Sequence, residues 1–227
     1  KMLNTKFHKI NKFYFGLAVI VLVGLSIYIF KIMTPKKIPS TLILPVPFSA
    51  QAPTNNWSRN EDCEETSVVM AYAFLTGMTE NKFSPQVVQE AINSLKKWEE
   101  SNLGYNDDTG ANVTSKMAEG TFGLKIKQIE NYTEEDLKRA ITNGHPILLP
   151  INAKLLGSPQ YFADGPTYHM LVIRGFKDNI FIVNDPGTNS GDGQEYYFST
   201  LQKASADWDH NTKSMDPNRK ISLIVSI

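Results

Sequence analysis

The feature that most constrains the fold of this chain is a change of hydrophobic period near residue 145. Before it, apolar residues recur at helical spacing. Cys63 opens one such run, with Asp62 as the expected N-cap, Glu64 and Glu65 in the first turn and Gly77 as the stop. Ser84-Pro85 opens a second, with Val88, Ile92 and Leu95 on one face. Residues 112–119 read as a short third helix. Thr133-Glu134-Glu135-Asp136 caps a fourth that ends at Asn143-Gly144. After it come short β-branched or aromatic runs separated by turn residues: Pro146–Ile151, His169–Arg174, Ile180–Val183, Glu195–Phe198 and Ile221–Val225. Helices first and strands afterwards predict an α+β domain with an antiparallel sheet, and the helix at Cys63 must pack against that sheet. Ahead of it, Leu42–Phe48 reads as an extended edge segment broken by Pro45 and Pro47, and 49–62 as a polar loop.

A second boundary lies further upstream. Phe13–Phe30 is an uncharged, almost wholly apolar run of 18 residues. At about 1.5 Å per residue it roughly matches a hydrocarbon core of about 30 Å. The chain therefore divides into a basic tail (1–12), a transmembrane anchor or signal peptide (13–33), a proline-bearing linker (34–41) and a folded domain (42–227). Tyr14 and Tyr28 sit where interfacial anchors sit, and Gly24-Leu25-Ser26 is the one candidate cleavage site. An uncleaved anchor is the favoured expectation and a cleaved signal the alternative. Four lysines before the run and three after it lean slightly toward a cytoplasmic amino terminus, which would place the domain outside the cytoplasm.

Charge follows the same division. Seven of the 23 basic residues are lysines within 1–40, where there is no acid, so the rest of the chain carries 16 basic groups against 23 acidic ones, a net of −7. An acidic domain without a basic stripe is a poor partner for nucleic acid. The single cysteine excludes an intrachain disulfide and any multi-cysteine zinc site, so the fold must rest on its apolar core.

That cysteine has two readings: a buried helix-start thiol, or a nucleophile. A nucleophilic thiol is served by a helix N-terminus, whose unpaired N–H groups favour the thiolate. It also needs a base in reach, and the base needs a third group to orient it. Of the four histidines, His8 precedes the apolar run, His145 lies in a turn and His210 in a polar loop. His169 alone begins an apolar strand (HMLVIRGF) after a glycine- and proline-bearing loop. The next strand ends at Asn184-Asp185-Pro186-Gly187, and a short turn at 176–179 would return that end to His169. Asn184 and Asp185 both compete for the third place; strand neighbours face opposite ways, so one of them serves.

The phrases VPFSAQ, DCEETSVVMAYAFLTG and YHMLVIRGFKDNIFIVNDPG resemble the papain-like cysteine peptidases related to bacteriocin-leader (double-glycine) processing peptidases, closest to their stand-alone bacterial branch. The resemblance spans about residues 44–208. It implies a papain-like fold, with Cys63 as nucleophile, His169 as general base and acid, and Asp185 orienting His169. It further implies that Gln51 donates to an oxyanion hole with the backbone N–H of Cys63. The family usually has Gly-Pro or another small pair after the cysteine; here Glu64-Glu65 stand there. Two carboxylates oppose a thiolate, or else they contact a basic residue of the substrate.

The resulting expectation is a membrane-anchored bacterial cysteine peptidase acting on a peptide or protein, without metal or cofactor. Transglutaminase-like acyl transfer and a non-catalytic peptide- or leader-binding domain of the same fold stand as alternatives. A three-ligand metal site at Cys63, His169 and Asp185 is disfavoured by its single sulfur. Oligomeric state is not legible.

Overall fold

The computed structural model describes residues 36–57, 61–78, 83–161 and 165–227. The tail and the apolar segment at 13–33 lie outside them, and with them the expectation of an anchor or signal. Among the described residues no helix is long and apolar enough to cross a membrane.

Four helices and the first strands occupy the leading half: β1 (Thr41–Ile43), α1 (Cys63–Leu75), α2 (Pro85–Leu103), α3 (Ala111–Phe122), β2 (Lys125–Glu130) and α4 (Glu134–Thr142). The trailing half holds β3 (Ile147–Ile151), β4 (His169–Lys177), β5 (Ile180–Asn184), β6 (Gln194–Tyr197), α5 (Phe198–Ala204), β7 (Asp207–Asp209), β8 (Ser214–Asp216) and β9 (Ile221–Ser226). The main sheet runs β2-β9-β3-β4-β5-β6, with β1 paired to the far half of β4, and every pairing is antiparallel. β7 and β8 form a separate ribbon. The α+β expectation agrees with this architecture.

Local chemistry explains most boundaries. Ser84 caps α2 through a bond from Val87 N, Pro85 takes the first helical position, and Gly104 ends the helix at φ 80°. Thr133 and Asp136 form a reciprocal capping box on α4. The central strands β3 and β4 are buried along nearly their whole length, as expected of strands covered on both faces.

Several expectations need correction. Asp62 occupies the N-cap position of α1, but its side chain caps nothing; its carboxylate pairs instead with Lys96 of α2. The loop at 49–62 is polar in composition, yet Ser49, Ala50, Gln51 and Ala52 are all buried. Phe198 belongs to a helix rather than to the end of a strand. β2 was not predicted, because in KIKQIE the two isoleucines are three apart, a spacing that breaks strand alternation.

α1 is buried from Cys63 through Ala71, because it packs into the sheet rather than lying on its surface. Ser67 Oγ donates to Met170 O at 3.2 Å, tying the second turn of α1 to the strand residue that follows His169. The start of α1 and the start of β4 are thereby fixed to each other.

Candidate active site

The register of the central hairpin positions the histidine. β4 and β5 pair antiparallel with Val172 opposite Asn184. Carried past the end of β5, that register sets Gly187 opposite His169 and Asp185 diagonal to it. His169 Nε2 and Asp185 Oδ1 are 2.7 Å apart, and both side chains are buried. Asn184, one residue earlier, faces the other way. Its Oδ1 accepts from Arg174 Nε at 2.7 Å, and its Nδ2 donates to Val46 O at 3.1 Å, clamping the entry segment to the sheet.

Asp185 receives two further donors. Tyr161 Oη donates to Oδ2 at 2.6 Å, and Gly187 N donates to Oδ1 at 2.9 Å. Burial alone would raise this carboxyl, but His169 and the three hydrogen bonds outweigh it and hold it below the ordinary carboxylate range. Tyr161 also meets the His169 ring edge-on, with centroids 5.9 Å apart. Two glycines allow this corner to close. A Cβ on Gly187 would lie 2.9 Å from His169 Cε1, and one on Gly191 only 1.8 Å from Asp185 O.

Cys63 lies at the start of α1, 3% exposed. Its thiol donates to Glu64 Oε2 at 3.0 Å. Glu64 Oε1 in turn accepts from Thr109 N at 2.6 Å, and Tyr168 Oη donates to Thr109 O at 2.8 Å. Burial first, then the Glu64 charge and its hydrogen bond, push the Cys63 thiol well above its ordinary range. The first reading of Glu64-Glu65, opposition to the thiolate, agrees with this direction. The second, contact with a basic substrate residue, is corrected: Glu64 and Glu65 are 1% and 2% exposed. Glu64 is engaged by the thiol and by Thr109, and Glu65 shares a hydrogen bond with the buried Glu99 of α2.

Asp108, half-buried in the loop before α3, acts electrostatically on Cys63, and His169 acts on it in turn. Burial, then Glu61 and Asp107, push its carboxyl up to about 6. The Asp108 carboxyl is thus within electrostatic reach of both Cys63 and His169. The loop is held by Asp207 Oδ1, which accepts from Ala111 N at 2.8 Å at the start of α3. Neither Asp108 nor Tyr161 was singled out from the sequence. Both lie in irregular segments, where no period marks an inward side chain.

Gln51 is buried, and its N–H donates to Pro186 O at 2.8 Å. The segment carrying Gln51 is therefore pinned to the turn that follows Asp185. The Gln51 side chain borders a cleft of about 550 Å³ whose wall also includes Asn56, Asp62, Lys96 and Asn106, all polar. The Trp57 indole N–H donates to Asn55 Oδ1 at 3.1 Å and so pins its own loop. His210 stands apart, stacked on Tyr105 at 4.0 Å. Among the described residues no group of three histidine, cysteine or acidic side chains could hold a metal ion.

The model of the Peptidase_C39 like family matches residues 43–215, so the chain belongs to that family. It is a cysteine peptidase, and Cys63 is the one cysteine it has. No curated protein matches it. Among solved structures, a C39-like peptidase from Bacillus anthracis is 16% identical with a TM-score of 0.52, over 82% of this chain and 98% of that one. At that identity the likeness speaks for the fold. A double glycine motif protease from an AMS/PCAT transporter, in complex with the leader peptide, is 16% identical with a TM-score of 0.45, over 81% and 92%. A cysteine protease of Carica candamarcensis in complex with E-64 is 14% identical with a TM-score of 0.40, over 83% and 99%.

Proposed function

We propose that this chain hydrolyses peptide bonds through Cys63, His169 and Asp185, with Gln51 supporting the oxyanion. The observation that carries the reading is the buried His169–Asp185 hydrogen bond of 2.7 Å, on a strand fastened to the helix that begins at Cys63. Asp185 stays ionised, so His169 Nε2 is the protonated nitrogen and donates to it. Nδ1 is then the nitrogen left to accept a proton.

In the proposed reaction the thiol proton passes to His169 Nδ1, and the Cys63 sulfur attacks the scissile carbonyl. The C–N bond breaks as His169 returns the proton to the leaving amine. Water, deprotonated by the same nitrogen, then cleaves the thioester and frees the acid. The Gln51 side-chain amide and the Cys63 N–H face the oxygen on which negative charge develops. Donors of this kind are typically worth about 3–4 kcal/mol. The polar cleft beside Gln51 takes the peptide on one side of the scissile bond. The apolar segment at 13–33 tethers the domain to a membrane, with the domain outside the cytoplasm.

The test is hydrolysis of an unstructured protein such as casein by the full chain. Wild type releases new amino termini, and Cys63→Ala and His169→Ala each abolish that release while melting as cooperatively as wild type. Undiminished release by Cys63→Ala would overturn the reading. Extraction of membranes with alkaline carbonate tests the tether: the chain stays in the pellet if 13–33 spans the bilayer.

A further inference from the structure

The residue after the nucleophile takes the thiol proton's hydrogen bond. A thiol has one proton to donate, and in this structure it goes to Glu64 Oε2 at 3.0 Å. Glu64 is buried, so its carboxyl cannot swing out to water. It is also fixed from behind by Thr109 N at 2.6 Å, in a loop held by Tyr168 and Asp207. These contacts form a path from Cys63 through Glu64 and Thr109 to Tyr168, the residue that directly precedes His169.

We propose that Glu64 is a positioning residue that holds the Cys63 thiol neutral and turned away from His169 in the resting enzyme. This rests on the peptidase reading above and adds a step to it. Before attack, the Sγ–H···Oε2 hydrogen bond breaks and the thiol proton passes to His169 Nδ1. The product is a thiolate beside an imidazolium, with no net change in charge.

The surroundings favour this resting state. Glu65 on the same helix, Glu99 from α2 and Asp108 from the loop before α3 are all acidic groups facing Cys63 or Glu64, and Tyr168 faces both from the loop before β4. Lys96, the cation that acts on Glu65 and Glu99, is paired with Asp62. A thiolate formed against Glu64 would meet three carboxyls and no free cation among these neighbours. Formed against His169, it meets an imidazolium. The enzyme is therefore chemically quiet until the thiol changes partner, which also shields a lone cysteine from oxidation.

Alkylation by iodoacetamide as a function of pH reads this directly, because the chain has one cysteine and no substrate is needed. In Glu64→Gln the amide oxygen keeps the bond from Thr109 N and its NH₂ faces the sulfur as a donor. Alkylation at neutral pH is expected to rise at least tenfold, and its inflection to fall by about one pH unit or more. His169→Ala should slow alkylation little in wild type and strongly in the Glu64→Gln background. An unmoved inflection in a cooperatively melting Glu64→Gln protein would overturn the proposal, as would a wild-type rate that depends strongly on His169. Should that variant fail to fold, the wild-type S–H stretching band decides. A band that persists at neutral pH, shifted by the hydrogen bond to Glu64, supports the proposal, and its absence sinks it. Failure of the peptidase reading shows separately, as hydrolysis that survives Cys63→Ala or His169→Ala.

Discussion

Asp185 on one hand and the Glu65–Glu99 pair on the other are buried carboxyls that hold opposite charge states for one physical reason. At the His169 corner, Asp185 is wholly buried but receives His169, Tyr161 and Gly187 as donors, and it stays ionised. On the other side, Glu65 and Glu99 are equally buried but poor in donors. Neither oxygen of Glu99 receives a bond from an N–H or a hydroxyl among the described residues. Its hydrogen bond with Glu65 needs a proton between the two acids, and burial followed by the mutual charge pushes Glu99 up to about 10. Burial alone does not decide the charge of an acid. The number of donors aimed at it does.

The largest effect should come from removing the charge at the donor-rich corner. Asp185→Asn keeps the shape but lets the histidine take the wrong tautomer, because an amide can donate to Nε2. A loss in kcat/KM of about 10³-fold, roughly 4 kcal/mol, is expected on a fluorogenic peptide with little change in fold. A loss below tenfold would mean that the corner is only structural. Next in size is Gly187→Ala, whose Cβ would lie 2.9 Å from His169 Cε1 and 3.1 Å from its Nε2. The backbone there can accept alanine, so the cost falls on the position of the imidazole. A loss of about 10–100-fold in kcat is expected, with a melting temperature near that of wild type.

The donor-poor side is probed through stability. Glu65 and Glu99 rise from 4.5 to about 7 and about 10, so between the ordinary and the raised values the folded state holds protons that the unfolded chain has released. Stability from these groups is therefore complete at acid pH and is lost as pH rises. Glu99→Gln removes one of the two acids and supplies an NH₂ to Glu65. It should melt with wild type near pH 4 and exceed it by about 1–3 kcal/mol near pH 9, followed by thermal melts across that range. A gap that is constant with pH would show that the acids do not share a proton.

How much of this was legible depended on whether a residue's environment was local. Cys63 at a helix start could be read from Asp-Cys-Glu-Glu and from Gly77, and His169 from the apolar run it begins. The pairing of β4 with β5 followed from a short turn, and Asn184 against Asp185 was a question of strand parity. Tyr161 and Asp108 were invisible, because they reach the site across loops, where no period applies. Glu99 was missed although its signal was present. Val88, Ile92, Leu95 and Glu99 continue one stripe of α2, and all four are buried. An acid on an apolar stripe marks a buried partner, here Glu65. Asp62 failed as a cap for the opposite reason: a local rule was followed where Lys96, 34 residues away, held the carboxylate.

The smallest effect separates the donors at Asp185 from one another. Tyr161→Phe removes the hydroxyl 2.6 Å from Oδ2 and leaves His169 and Gly187 in place. A hydrogen bond to a charged acceptor is worth about 1.5–3 kcal/mol, and part of that is recovered if water enters. About a tenfold loss in kcat/KM is expected, roughly 1.4 kcal/mol. Because Asp185 is held below the ordinary range, the stability it contributes is present above that range and is lost as pH falls through its own lower value. The variant moves Asp185 back toward the ordinary value. Its deficit in melting temperature should therefore be fully present at neutral pH and should close as pH drops below the carboxylate range. A deficit that persists undiminished in acid would show that the hydroxyl acts through something other than the charge of Asp185.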